Sequence, residues 1–270
     1  MFREPFLHKV GLPTRVLSPL AFTLIPAVIL SMSTSGTLYI VATPIGNLGD
    51  MTYRAVETLR QVDLIACEDT RTSQTLLHHF DIHKPLVSYH NFNERKVTEK
   101  LISRLQLGEN IALISDAGTP SISDPGFIIV RSAIAAGVPI VPIPGASAAI
   151  SALAISGLPT DAFIFHGFLP QTQGKRRTVI DSLADRRETI VLYESPFKIH
   201  KLIELLYELL GNRQVVLCRE LTKKFEETIR CDLESLRTAI AGRVLKGEIT
   251  LVVEGRTRKS ERNDEQEDDD

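Results

Sequence analysis

Between residues 38 and 155, short apolar runs alternate with amphipathic stretches. Leu38–Ala42 (LYIVA), Val62–Cys67 (VDLIAC), Ile111–Ser115 and Ile140–Ile143 are rich in branched side chains and show little polar alternation, the signature of strands buried on both faces. The stretches between them carry apolar residues at helical spacing. Ala55, Val56 and Leu59 mark a helix over Thr52–Gln61, and Val97, Leu101, Ile102 and Leu105 mark another over Glu94–Leu107. Helices are also expected over Gly126–Ala136 and Ala146–Ile155.

A second series follows Gly157-Leu158-Pro159. Strands are expected at Ala162–His166, Ile190–Tyr193, Val215–Cys218, Glu227–Cys231 and Ile249–Val253, and helices at Lys175–Leu183, Ile199–Leu210 and Leu233–Arg243. Strand–helix alternation indicates an α/β protein whose first sheet is mostly parallel and covered on two sides. The boundary between two domains, 36–156 and 157–255, is placed at residues 155–160. No internal repeat relates the halves.

Charge changes the picture mainly at the ends. The 270 residues carry 31 Lys+Arg against 33 Asp+Glu, so no global positive field exists to hold nucleic acid. The last fifteen residues, 256–270, contain four basic and seven acidic side chains and read as a disordered tail. Val16–Leu30 is mostly apolar and follows Arg3, Lys9 and Arg15, the outline of a signal peptide. It is too short to span a bilayer, and Pro19 and Pro26 interrupt it. Residues 1–35 therefore read as an extension or as a start assigned ahead of Met32. The three cysteines, Cys67, Cys218 and Cys231, lack CxxC spacing and suit a reducing, cytoplasmic compartment.

In open α/β sheets, ligands bind beyond the carboxyl ends of strands. Three loops there are rich in Gly, Pro and small polar residues: Thr43–Asp50 (TPIGNLGD), Ser115–Pro120 (SDAGTP) and Pro144–Ala148 (PGASA). Cys67-Glu68-Asp69-Thr70-Arg71 adds two acids and a base after the second strand. Glycines admit close approach to a ligand, and helix starts offer N–H donors. GxGxxG and GxxxxGK[ST] are both missing, which argues against an ordinary dinucleotide or P-loop site.

Taken together, LYIVATPIGNLGDMTYRA (38–55), CEDTRTS (67–73), SDAGTPSISDPG (115–126), PGASAAISAL (144–153), HGFLP (166–170), YESPFKI (193–199), RELTKKFEE (219–227) and GEITLVVEG (247–255) resemble the ribosomal RNA small-subunit cytidine 2′-O-methyltransferases. These lie within the tetrapyrrole-methylase-like family of S-adenosylmethionine enzymes. The resemblance implies two α/β domains, a mostly parallel first sheet and a mixed second one, with the cofactor in a cleft between them. It implies a homodimer, with 16S rRNA or the 30S subunit as partner and no membrane association. By position, the cofactor would be contacted by Pro44, Ile45, Gly46, Asn47, Ile114, Ser115, Asp116, Gly118, Thr119, Ala146 and Ser147. From the second domain Tyr193, Glu194, Glu248, Ile249 and Thr250 would contribute. Where tetrapyrrole methylases have GPGDP, this chain has Ile45-Gly46-Asn47-Leu48. Asn47 in place of the acid argues against a tetrapyrrole substrate.

Methyl transfer from a sulfonium is an in-line displacement that gains from alignment and from a base for the hydroxyl proton; it requires no metal. Glu68, Asp69 and Asp116 are candidate carboxylates. The cluster Glu68, Asp69 and Arg71 is assigned to catalysis and Asp116 to the cofactor, although Asp69 and Arg71 could simply pair with each other. RNA phosphates would be met by Lys175, Arg176 and Arg177, and by Arg219, Lys223 and Lys224. The competing readings are a small-molecule methyltransferase of the same fold and an assembly factor without turnover.

Overall fold

The computed structural model describes residues 35–257. The leader and nearly all of the acidic tail lie outside them; Arg256, assigned to the tail, is placed, its N–H donating to Arg186 O at 2.6 Å.

The first sheet contains β1 (Leu38–Val41), β2 (Leu64–Cys67), β3 (Leu86–Ser88), β4 (Ile111–Ile114) and β5 (Ile140–Ile143), in the order β3-β2-β4-β1-β5. Every pairing among them is parallel. β2 and β4 are buried at every position because helices cover both faces, and this is why they read as unbroken apolar runs. The covering helices are α1 (Tyr53–Gln61), α2 (Thr70–His79), α3 (Glu94–Gln106), α4 (Phe127–Ala135) and α5 (Ala148–Ser156). Two apolar clusters result, one around Leu38, Leu101, Leu113 and Ile129, the other around Val41, Leu59, Ile65 and Ile114. Side chains fix the helix starts. Thr52 accepts from Ala55 N at 3.1 Å, and Asp69 accepts from Arg71 N at 2.8 Å. α5 ends at Gly157, whose φ of 77° is the left-handed stop that glycine tolerates.

The second sheet contains β6 (Phe163–Phe168), β7 (Thr189–Glu194), β8 (Gln214–Arg219), β9 (Glu227–Asp232) and β10 (Ile249–Val253), in the order β6-β7-β10-β8-β9. Only β6–β7 is parallel; β10 runs antiparallel to β7 and β8, and β9 to β8. One face carries α6 (Gln173–Asp181), α7 (Ile199–Leu210) and α8 (Leu233–Ile240) around a core that includes Ile203, Leu206, Leu236 and Leu251. The opposite face packs on α5: Ala149, Ala152 and Leu153 meet Val191, Val216 and Val252. α5 is apolar almost all round because it is shared between the two sheets.

The apolar pattern of the sequence predicts neither α2 nor β3. α2 buries only Ser73 and Leu77, and β3 has three half-buried residues, so neither carries a strong periodic signal.

Candidate functional site

The carboxyl ends of β1, β4 and β5 are tied together before any side chain reaches a ligand. Thr43 N donates to Gly118 O at 2.8 Å and Gly118 N returns to Thr43 O at 3.1 Å. Thr43 Oγ1 donates to Ser115 O at 3.1 Å, and Thr119 Oγ1 to Ala146 O at 3.2 Å. A Cβ on Gly145 would lie 2.9 Å from Ala42 Cβ, so the third loop depends on glycine to sit against the first.

These loops and the end of the second sheet enclose a cavity of about 420 Å³. That is the size of a small-molecule site. Ile45, Asp116, Gly118, Thr119 and Ser147 line it from one side, and Tyr193, Glu194, Glu248, Ile249 and Thr250 from the other. Glu68, expected to act in catalysis, reaches the same space.

Other expected contacts lie elsewhere. Pro44 and Gly46 line a neighbouring cavity with Lys223 and Glu248. Asn47 caps the 3-10 turn Leu48–Asp50, accepting from Gly49 N at 3.0 Å. Ile114 is part of the core, and Ser115 lies buried beneath the loop. Ala146 acts through its carbonyl, which holds Thr119.

Asp69 is spent on structure. Its Oδ1 accepts from Arg71 Nε at 3.1 Å and its Oδ2 from Arg71 Nη2 at 2.7 Å, while Oδ1 also caps α2. Arg71 holds the Asp69 carboxyl down at about 2, which makes it a weak base. Glu68 has the opposite environment: burial, then the charges of Asp124 and Asp116, raise it. Asp116 Oδ1 accepts from Asp69 N at 3.1 Å, linking the β4 and β2 loops.

Asp124 was not among the expected site residues. It lines the cavity, and burial, followed by Asp116 and Glu248, pushes it up to about 6, although Ser115 hydrogen-bonds it. It lies inside the SDAGTPSISDPG segment that carries the family resemblance, which assigned this acid no role. Phe168 was also missed. It lines the cavity and meets Tyr193 edge-on, with ring centroids 5.5 Å apart. The Tyr193 hydroxyl accepts from Ala149 N at 3.1 Å, at the start of α5.

The basic residues divide. Arg176 does not face solvent: its Nη1 donates to Glu194 Oε2 at 2.6 Å inside the second lobe, so the guanidinium is withheld from an RNA phosphate. Arg219 pairs with Glu227 at 2.9 Å. Lys223 Nζ lies 2.9 Å from both Glu220 and Glu248. Lys175 and Arg177 are exposed, Arg177 paired with Glu208 at 2.7 Å, and exposed Lys224 sits 5.6 Å over the Phe225 ring.

Residues 37–237 match the model of the tetrapyrrole (corrin/porphyrin) methylases. A protein of Halalkalibacterium halodurans named ribosomal RNA small subunit methyltransferase I is 49% identical over 226 residues, covering 84% of this chain and 78% of that one. A Bacillus subtilis protein of the same name is 44% identical over 234 residues, covering 87% and 80%. Among solved structures, a diphthine synthase matches with a TM-score of 0.63 at 17% identity, covering 82% of this chain and 91% of that one. Uroporphyrin-III-C-methyltransferase of Thermus thermophilus matches with a TM-score of 0.57 at 20% identity, covering 80% and 94%. At those identities the likeness is one of fold.

Proposed function

The chain belongs to the tetrapyrrole (corrin/porphyrin) methylase family, and on that premise we propose that it methylates the ribose 2′-hydroxyl of a cytidine in the 16S RNA of the small ribosomal subunit. Its relatives at 44–49% identity over more than four fifths of the chain are small-subunit RNA methyltransferases, and that observation carries the reading. The protein is an S-adenosylmethionine-dependent methyltransferase.

The cavity suits that cofactor. Ile45, Ile122, Phe168 and Tyr193 supply apolar walls for an adenine and a thioether chain, and Asp116 and Glu248 supply acceptors for a ribose diol or an ammonium. When bound, S-adenosylmethionine supplies an electrophilic methyl on a sulfonium. The chain's own work is to align the hydroxyl, exclude water and accept a proton. Glu68 lines the same cavity, and Asp69 with Arg71 forms a brace that fixes the start of α2. Lys175, Arg177 and Lys224 are the exposed cations assigned to RNA phosphates; a neutral body makes such local contacts the source of RNA affinity.

The working enzyme is a cytoplasmic homodimer. Exposed Phe127 and Ile134 on α4, and Ile150 and Ile155 on α5, offer apolar surface for a second copy. Among the described residues no helix is long and apolar enough to cross a membrane. The test is transfer of labelled methyl from S-adenosylmethionine to naked 16S rRNA, to 30S particles and to a porphyrinoid. Label in an RNA ribose is expected; label only in the porphyrinoid, or none, refutes the reading.

A further inference from the structure

We infer that Asp124 is the catalytic residue that accepts the proton of the ribose hydroxyl. The inference rests on the reading of the chain as a ribose methyltransferase, and it assigns the base to a side chain outside the Glu68–Arg71 cluster.

The argument starts with the path of the chain between β4 and α4. After Ser115 the chain leaves the sheet, lines the cavity at 116–119 and 122–124, and reaches Gly126 at the start of α4. Two non-glycine residues on this strap, Ser121 and Ser123, have φ of 72° and 65°, and Gly126 has 148°. Such conformations persist only where surroundings impose them. The surroundings are visible. Ser121 N donates to Pro125 O at 3.2 Å, closing the strap on itself, and Gly126 packs so closely on Ser121 that a Cβ there would overlap its hydroxyl. Gly167, on β6 of the other sheet, likewise has no room for a Cβ against the Ser123 hydroxyl. The strap is thus held from both lobes, and Asp124 is its carboxylate in the cavity.

Its neighbours suit a base. The titratable groups around Asp124 are Asp116 and Glu248, together with Glu68 and Tyr193, which both sense it. The acids disfavour its charge and Tyr193 is neutral at physiological pH, so an incoming proton is welcomed. Asp69, neutralised by Arg71, is the contrary case. A carboxyl group poised at about 6 is ionised at neutral pH and is a stronger base than an ordinary carboxylate. In the step, the hydroxyl proton passes to Asp124 as the oxygen–methyl bond forms and the methyl–sulfur bond breaks. The sulfonium charge leaves as that proton, which Asp124 releases to solvent, and the products are the methyl ether and a neutral thioether.

The experiment compares wild type, Asp124→Asn and Asp124→Glu in single-turnover transfer to 30S particles from pH 5 to 9. Cofactor affinity is read by calorimetry and the carboxyl titration by NMR of the free protein. The wild-type rate should rise through an acid limb near pH 6 that coincides with the Asp124 midpoint. Asp124→Asn should bind cofactor within about threefold, lose at least a hundredfold in rate and lose the limb, and Asp124→Glu should regain part of both. Retained rate, a limb surviving in Asp124→Asn, or lost cofactor affinity would overturn the assignment. If Asp124→Asn does not fold, a wild-type limb that departs from the Asp124 midpoint overturns it equally. Failure of wild type to methylate RNA sinks the underlying reading instead, so the two failures are distinct.

Discussion

Arg176 Nη1 donates to Glu194 Oε2 at 2.6 Å, and the pair is withdrawn from solvent, with side chains 10% and 3% exposed. The other carboxylate oxygen accepts from Ser195 N at 2.8 Å, and Arg176 Nε donates to Pro170 O at 3.3 Å. The pair therefore fixes the chain on either side of the cavity wall at Tyr193 and Ser195. Removing one partner strands a buried charge, which costs about 3–5 kcal/mol. Arg176→Met should lower stability by that order in urea unfolding, and Arg176→Met/Glu194→Gln by less. Equal losses in the single and double variants would show that the charge is not the cause.

The Asp69–Arg71 brace leads to a different expectation. Asn caps a helix as well as Asp does, so Asp69→Asn should keep α2. Methyl transfer should stay within a few-fold of wild type, because the ion pair with Arg71 lowers the basicity of that carboxylate. The sign for stability follows: a carboxyl lowered in the folded state stabilises above its unfolded value and loses that contribution as pH falls toward 2. Asp69→Asn should therefore be less stable than wild type above about pH 4 and converge with it as pH falls toward 2, measured by unfolding across a pH series. A hundredfold loss of rate at neutral pH would return Asp69 to catalysis.

How much of this was legible beforehand depends on where the signal lives. β2 and β4 announce themselves because strands buried on two faces leave continuous apolar runs. α2 does not, since its sequence TRTSQTLLHH is dominated by polar positions and buries only Ser73 and Leu77. The cavity loops were legible from Gly145, Gly118 and their prolines, whose purpose is close backbone approach. Asp124 was not, because its importance comes from a strap, closed by Ser121 N on Pro125 O, that lines the cavity and buries the carboxyl there. The basic run at 175–177 misled for a geometric reason. Successive helical residues point about 100° apart, so three neighbours cannot share a face, and Arg176 turns inward.

That division of the basic run gives an RNA prediction. Lys175→Glu and Arg177→Glu should each weaken RNA binding and lower the slope of log affinity against log salt by about one. The exposed Arg177–Glu208 pair contributes little to stability, so folding should be unchanged. Lys223→Ala should alter the slope less, since two acids already share that ammonium. Filter binding from 50 to 200 mM salt measures all three (roughly the range over which phosphate contacts are read out). Unchanged slopes for both charge reversals would remove this surface from the RNA interface.

The contact of Gly167 with Ser123 offers a way to move Asp124 without touching it. Gly167 has a φ of 67°, so Gly167→Ala should cost about 1–2 kcal/mol from left-handed backbone alone. The added methyl must also displace the Ser123 hydroxyl, pushing the strap away from the second sheet. Transfer should fall at least tenfold, because a small misplacement of a reacting group is expensive in rate. Cofactor affinity should change little. Ser123→Gly on its own should stabilise the protein by about 1 kcal/mol, since it relieves a left-handed serine. Combined with Gly167→Ala it removes the clashing hydroxyl, so the double variant should recover most of the lost rate while keeping the backbone cost at residue 167. Single-turnover rates and thermal melts of the three variants separate these contributions. If the double variant is no faster than Gly167→Ala, the strap is not what Gly167 positions.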